Sequence, residues 1–96
     1  MSLVAETYHT HLDRRNRVVR KHADVIAILK EGWRLKSSAG TGTAHAWFTD
    51  PTGVKHLTVA IDAVFTLVSL GQIDRVPRQK TDPFWLTNYR LVPTCH

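Results

Sequence analysis

Six histidines and a single cysteine are the residues of this chain best suited to hold a metal. His9 and His11 on an extended segment would put both rings on one side, and Cys95 and His96 could meet them if the termini approached. Zinc sites, however, are normally built on close ligand pairs such as CxxC or HxxxH, and the sequence holds neither. No metal and no cofactor is therefore expected, and the histidines read as scattered surface or core residues. The stretch KSSAGTGT (36–43) has the small residues of a phosphate loop but not its order. A P-loop needs GxxxxGK[ST], with the lysine directly after a glycine, whereas Lys36 precedes both glycines and a strand follows. Ser37, Ser38 and Ser69 stand in no GxSxG-type setting. Asp62 is the one charge in an otherwise apolar run, where a capping or edge position accounts for it better than a catalytic one. No enzyme is expected.

Charge carries more information. The 96 residues have a net charge of +5, distributed unevenly. Between residues 14 and 36, eight Lys/Arg stand against Asp24 and Glu31, a local balance of +6. The remaining five Lys/Arg face six Asp/Glu, a balance of −1. A basic lobe on a near-neutral body attracts polyanions. Arg14, Arg15, Arg17, Arg20 and Lys21 lie within eight residues, and guanidinium forks suit phosphate oxygens. Arg75, Arg78 and Lys80 form a second cluster around a loop. These eight residues are the expected phosphate contacts, with DNA favoured over RNA as the partner.

The aromatic residues suggest a rival. Trp47-Phe48 and Phe84-Trp85 are adjacent pairs on expected strands, and neighbours on a strand point to opposite faces. One of each pair can enter a core; the other needs a cover or stays exposed. On the last strand Trp85, Thr87, Tyr89 and Leu91 share one face. Trp47, Trp85 and Tyr89 are thus candidate interaction residues, either stacking on bases or centring a protein interface. A cover of N-terminal residues folded over that face would bury them instead. The alternative function is a protein-interaction module, a homodimer or an adaptor or inhibitor docking on an acidic partner.

Periodicity shows which helices and strands would carry these groups. Residues 57–73, LTVAIDAVFTLVSLGQI, form the most apolar segment. As a helix they place Ile61, Val64, Phe65 and Val68 on one face, with Ala60, Ala63, Leu67 and Leu70 widening it. Thr58 is the expected N-cap and Gly71 the left-handed stop. A rival reading carries a β-branched strand through 54–61 and shortens the helix by a turn. The run falls short of the roughly 20 apolar residues that span a bilayer. Upstream, Val25, Ile26, Ile28 and Leu29 mark a helix that Asp24 opens and Gly32 ends. Trp33 to Lys36 alternate as a strand, 37–43 read as a loop, and 44–49 as a strand. Asp50-Pro51-Thr52-Gly53 is a type I turn, with 54–57 returning antiparallel. Ile73 and Val76 mark another strand, 77–83 a loop and 84–92 a final strand. Residues 13–21 are favoured as helix, with an edge strand through Val18 and Val19 as the other possibility. Residues 1–12 are a short helix or arm, and 93–96 a tail.

Both halves run helix, Gly, strand, loop, strand, the last carrying apolar-Trp-apolar-Thr. The expected fold is a single α+β domain over 1–96, in the order α-β-β-α-β-β, with helices packed on an antiparallel sheet of four or five strands. One cysteine excludes an internal disulfide, and the opening residues lack a basic segment followed by an apolar one, so a cytoplasmic protein is expected. The helix, Gly-Ile and basic hairpin of 58–92 resemble a winged-helix DNA-binding domain, which implies a hairpin laid along a duplex backbone. The chain departs from that pattern where a strand pair separates the two helices that a helix-turn-helix needs in succession.

Overall fold

The computed structural model describes residues 4–9, 18–39, 44–83 and 85–92. The described residues form five antiparallel strands and three helices. Helix α1 spans Val4–His9 and α2 His22–Lys30. Strands β1 (Arg34–Ala39), β2 (Ala44–Thr49) and β3 (His56–Val59) follow, then α3 (Ile61–Ser69), β4 (Ile73–Arg75) and β5 (Leu86–Leu91).

Helix α2 forms where the apolar spacing places it, with Val25 and Ile28 fully buried. Gly32 stops it at φ +99°, a conformation that only glycine adopts at little cost. The chain then enters β1 with Leu35 inward, opposite Phe48 of β2. Beyond β2, the Gly53 N–H donates to the Asp50 carbonyl at 2.9 Å and closes the expected turn. One Asp50 carboxylate oxygen accepts from the N–H groups of Val54 (2.9 Å) and Lys55 (3.1 Å), and the other from the Thr52 hydroxyl (2.8 Å). Asp50 is thus enclosed by its own turn rather than by the core. Desolvation pushes its carboxyl up, but the hydrogen bonds from Thr52, Lys55, Val54 and Gly53 outweigh it and hold the group below its ordinary range.

The return strand settles the boundary between β3 and α3. His56–Val59 pairs with β2, Leu57 opposite Phe48 and Thr58 opposite Trp47. Leu57 and Val59 are buried while His56 and Thr58 are exposed, the period of a strand. Thr58 is therefore not the helix cap. Ala60 takes that place, with no side-chain hydrogen bond to the helix. The shorter, strand-first reading is the observed one. Gly71, at φ +74°, does end the helix region as expected. Helix α3 is also less enclosed than its composition suggests: Ala63, Val64 and Leu67 are buried, whereas Phe65 is 45% exposed.

Residues 18–21 are not helical. Val19 is extended and pairs in parallel with Val59, donating to the Thr58 carbonyl and accepting from Ala60 N–H, both at 2.9 Å. Its side chain is fully buried. The edge-strand alternative holds at Val19; the helix favoured for 13–21 fails at 18–21, and 13–17 lie outside the described residues.

The sheet order is β3-β2-β1-β5-β4. Since β3 and β4 occupy opposite edges, α3 crosses the whole sheet between them. The two halves share helix, glycine and hairpin, but β3 interrupts the likeness. Trp47 sits within β2, whereas Trp85 precedes β5.

Helix α1 is tied to α2 by two acidic side chains. The Glu31 carboxylate accepts from Val4 N–H at 3.0 Å and Ala5 N–H at 3.2 Å, and the Tyr8 hydroxyl donates to Asp24. Burial, that hydrogen bond and the Asp24 charge push the Tyr8 phenol up to about 12. Replacing Tyr8 with Phe removes a bond to a charged group, so unfolding should cost about 1–2 kcal/mol less. For a domain of this size the melting midpoint should drop by roughly 4–8 °C per kcal/mol. The phenol ionises near pH 10 when unfolded and only about 12 when folded. Its stabilising effect is therefore complete below about pH 10 and lost on the way to 12. Urea titrations of both proteins across that range should show a steeper loss in the wild type; parallel curves would refute the role given to this bond.

Candidate nucleic-acid interface

Strand alternation divides the sheet into two unlike faces. Leu35, Ala46, Phe48, Leu57, Val59 and Tyr89 face the helices and join Val25, Ile28, Val64 and Leu67 in one core. The opposite face carries no helix among the described residues. There β1 presents Arg34 and Lys36, β2 His45 and Trp47, β3 Thr58, and β5 Asn88 and Arg90. Register places Thr58, Trp47, Lys36 and Asn88 in one row across four neighbouring strands. Trp47 and Lys36 are half-buried in that row, and so is Asn88.

Three cations on this face, Arg34, Lys36 and Arg90, meet one carboxylate, Asp74. Arg90 reaches Asp74 at 3.5 Å, but both side chains are more than half exposed, so the pair contributes little. Among the described residues Lys36 has no salt bridge and the Asn88 side chain no hydrogen bond.

The basic residues expected from the sequence are only partly brought together. Arg14, Arg15 and Arg17 lie outside the described residues. Arg20 and Lys21 are exposed directly after Val19, on the β3 side of the sheet. Arg75 ends β4, and Arg78 and Lys80 follow it in the connection to β5, all three exposed. Arg20 and Lys21 at one edge, and Arg78 and Lys80 at the other, lie toward the end of the sheet where β1 finishes and β2 begins, whereas Arg75, opposite Tyr89 and so level with Leu35, lies nearer the start of β1. Four strand spacings of ~4.8 Å put those edges roughly 19 Å apart. At ~3.4 Å per phosphate that distance matches about five or six phosphates of one strand.

The aromatic expectations divide. Trp85 is 44% exposed just ahead of β5, and Trp47 lies on the uncovered face. Tyr89 is 6% exposed and shares a 2.8 Å hydrogen bond with Ser37 on the helix side. Helix α2 packs against β5 there, so Tyr89 is a core residue rather than an interaction residue. Lys36, Arg34 and Asn88 are candidates that clustering of charge along the sequence does not single out. The alternation Trp33-Arg34-Leu35-Lys36 already placed both cations on one face; what it lacked was the identity of the neighbouring strand.

Beside this row lies a groove of about 400 Å³ between β1, β5 and the 76–82 connection, lined by Arg34, Lys36, Val76, Pro77, Gln79, Asp82, Leu86 and Asn88. The Asp82 carboxylate accepts from Gln79 N–H at 3.0 Å, which folds the connection on itself. Among the described residues no three His, Cys, Asp or Glu gather as a metal site, and no helix is long and apolar enough to cross a membrane.

Fold and face together define a small α+β domain with a one-sided antiparallel sheet whose open side is cationic. No protein-family model, curated protein or solved structure matches the chain.

The three tryptophans report on this arrangement. In single-tryptophan variants, acrylamide should quench Trp85 most, Trp47 less and Trp33, buried at the start of β1, least. A Trp47 as shielded as Trp33 would mean that something covers the open face.

Proposed function

We propose that this protein binds nucleic acid, as a small non-enzymatic regulator, through the open face of its sheet and the basic rim at one end of it. The observation that carries this reading is Lys36, a half-buried lysine without a salt-bridge partner among the described residues, set between Trp47 and Asn88 on an uncovered sheet face. A polyanion supplies the missing negative charge, and an aromatic face beside a cation suits a base beside its phosphate. Arg20 and Lys21 would extend the track at one edge, continued in sequence by Arg14, Arg15 and Arg17. Arg75, Arg78 and Lys80 would do so at the other. DNA is the favoured partner, with the guanidinium-rich lobe on its phosphates.

The winged-helix likeness supports less. A β4–β5 hairpin with basic residues is present, but three strands separate α2 from α3, so the helix before that hairpin is not the second of a helix-turn-helix pair with α2. Contact through the sheet face is the geometry that remains.

A second reading changes both the surface and the partner. Phe65 on α3 and Leu70 directly after it are 45% and 60% exposed, and Trp85 is 44% exposed. These apolar groups support docking on an acidic protein or on a second copy of the chain. Sedimentation at micromolar concentration separates the copies: a dimer that Phe65→Ser dissociates would favour that reading.

Fluorescence anisotropy with labelled oligonucleotides at 50 and 200 mM salt tests the main proposal. Five phosphate contacts should cost a hundredfold to several hundredfold in affinity across that range, since the slope is about −0.7 to −0.9 per contact. Replacing Arg20, Lys21 and Lys36 with Ala should weaken binding for all sequences and flatten the slope by up to ~3. Unchanged affinity in that triple variant would overturn the assignment.

A further inference from the structure

We infer that the groove between β1, β5 and the 76–82 connection is a pocket for one unpaired, amino-bearing nucleobase, adenine above the others, with Asn88 reading its edge. The inference rests on the nucleic-acid reading above and assigns to it a strand type and a specificity.

Three observations converge on the groove. Asn88 is half-buried, lines the groove, and its amide makes no side-chain hydrogen bond among the described residues. An amide in that state can offer one acceptor and two donors. Lys36 stands directly opposite Asn88 on the adjacent strand, where its ammonium meets the phosphate of a nucleotide whose base enters the groove. Val76, Pro77 and Leu86 supply apolar walls for the faces of the ring. A groove of about 400 Å³ lies within the range of small-ligand sites.

The polar groups also select among bases. A side-chain amide pairs with adenine through its carbonyl to the N6 amino group and its N–H to N7. Asp82 lines the same groove and has already accepted the Gln79 N–H through one oxygen. Its carboxylate favours a base that presents an amino donor, which adenine and cytosine do; guanine carries one at N2, but its N7 and O6 are both acceptors where the Asn88 carbonyl needs a donor. Thymine presents the O4 acceptor instead, against which a carboxylate is repulsive. The expected order is therefore adenine, then cytosine, then thymine. A base paired in a duplex leaves N6 and N7 free but remains in its stack, with its ring faces covered by its neighbours, so entry into the groove requires a single strand or a base turned out of one. Trp47, on the other side of Lys36 in the same row, is placed to stack on a neighbouring base.

The test uses the full chain and labelled 12-mers of dA, dC and dT, with a dA·dT duplex beside them, read by anisotropy. The wild type should bind dA about tenfold more tightly than dT, as one good bidentate pair provides, and should show no such preference as duplex. Asn88→Leu should reduce the dA preference to within about twofold while leaving the salt slope unchanged. Asn88→Asp, which removes the amide donors and adds an acceptor, should shift preference toward dC and serves where the leucine variant does not fold. Binding of all three strands with equal affinity, or a preference that survives both substitutions, would overturn the pocket while leaving the cationic face intact. Absence of binding to every oligonucleotide would overturn the face and the pocket together.

Discussion

The pairing of β3 with β2 is the constraint on which the remaining architecture depends. Residues 57–59 are apolar enough for helix or strand, and their inclusion in the sheet fixes the path of the chain beyond them. With β3 at one edge and β4 required beside β5 at the other, α3 has to traverse the sheet. It can do so only on the face that already holds α2, because its buried residues join the same core. The backbone of Thr58 and Ala60 also holds Val19, so the edge that β3 would have left open is met by a residue from the N-terminal side. An unpaired edge invites association with other chains; here a single parallel bridge shields part of it and aims Arg20 and Lys21 outward.

What could be read from the sequence was the locally determined part. Gly32 and Gly71 are stops because their neighbours end helical periods, and both adopt the left-handed backbone. Asp50 to Gly53 closes as a turn because its residue types favour one, and the β2 boundaries come directly from AHAWFT. The parts that escaped depend on partners far along the chain. Whether 57–60 are strand or helix is decided by β2, not by propensity. Val19 is extended because Thr58 and Ala60 satisfy its backbone. Alternation correctly grouped Thr87, Tyr89 and Leu91, while Trp85 falls just ahead of the strand; but alternation cannot say which face the helices will cover. Tyr89 fell on the covered one, where Ser37 accommodates its hydroxyl.

The candidate site shows the same division. Its charge was legible, since a run of arginines needs no fold to be seen. Its geometry was not, because the cationic row is assembled by β1 pairing with β5, partners separated by about half the chain. That pairing puts Lys36 beside Asn88 and leaves Arg34 and Arg90 on the same surface. The two basic clusters that composition emphasises become the ends of the surface, and residues unremarkable in sequence become its middle. Long-range attraction and local fit are thereby assigned to different residues. Exposed arginines at the rim act over roughly a Debye length, while the half-buried row acts only on what has already arrived.

Occupancy of the groove is coupled to the stability of the domain. β1 lies at the centre of the sheet, and the β1–β5 ladder forms only once the α3 crossover has brought β4 and β5 back to it. The groove therefore exists only in the completed fold, and a ligand held there binds the folded state and not the unfolded one. Such a ligand stabilises by RT ln(1 + [L]/Kd), about 2.7 kcal/mol at a hundredfold excess over Kd. The strands gaining most from it are β4 and β5. Of these β4 is three residues long, with only Ile73 buried, and is held in the sheet by β5 alone. The 76–82 connection that walls the groove thus leaves the sheet from its least buried strand, so occupancy and completion of the fold reinforce one another.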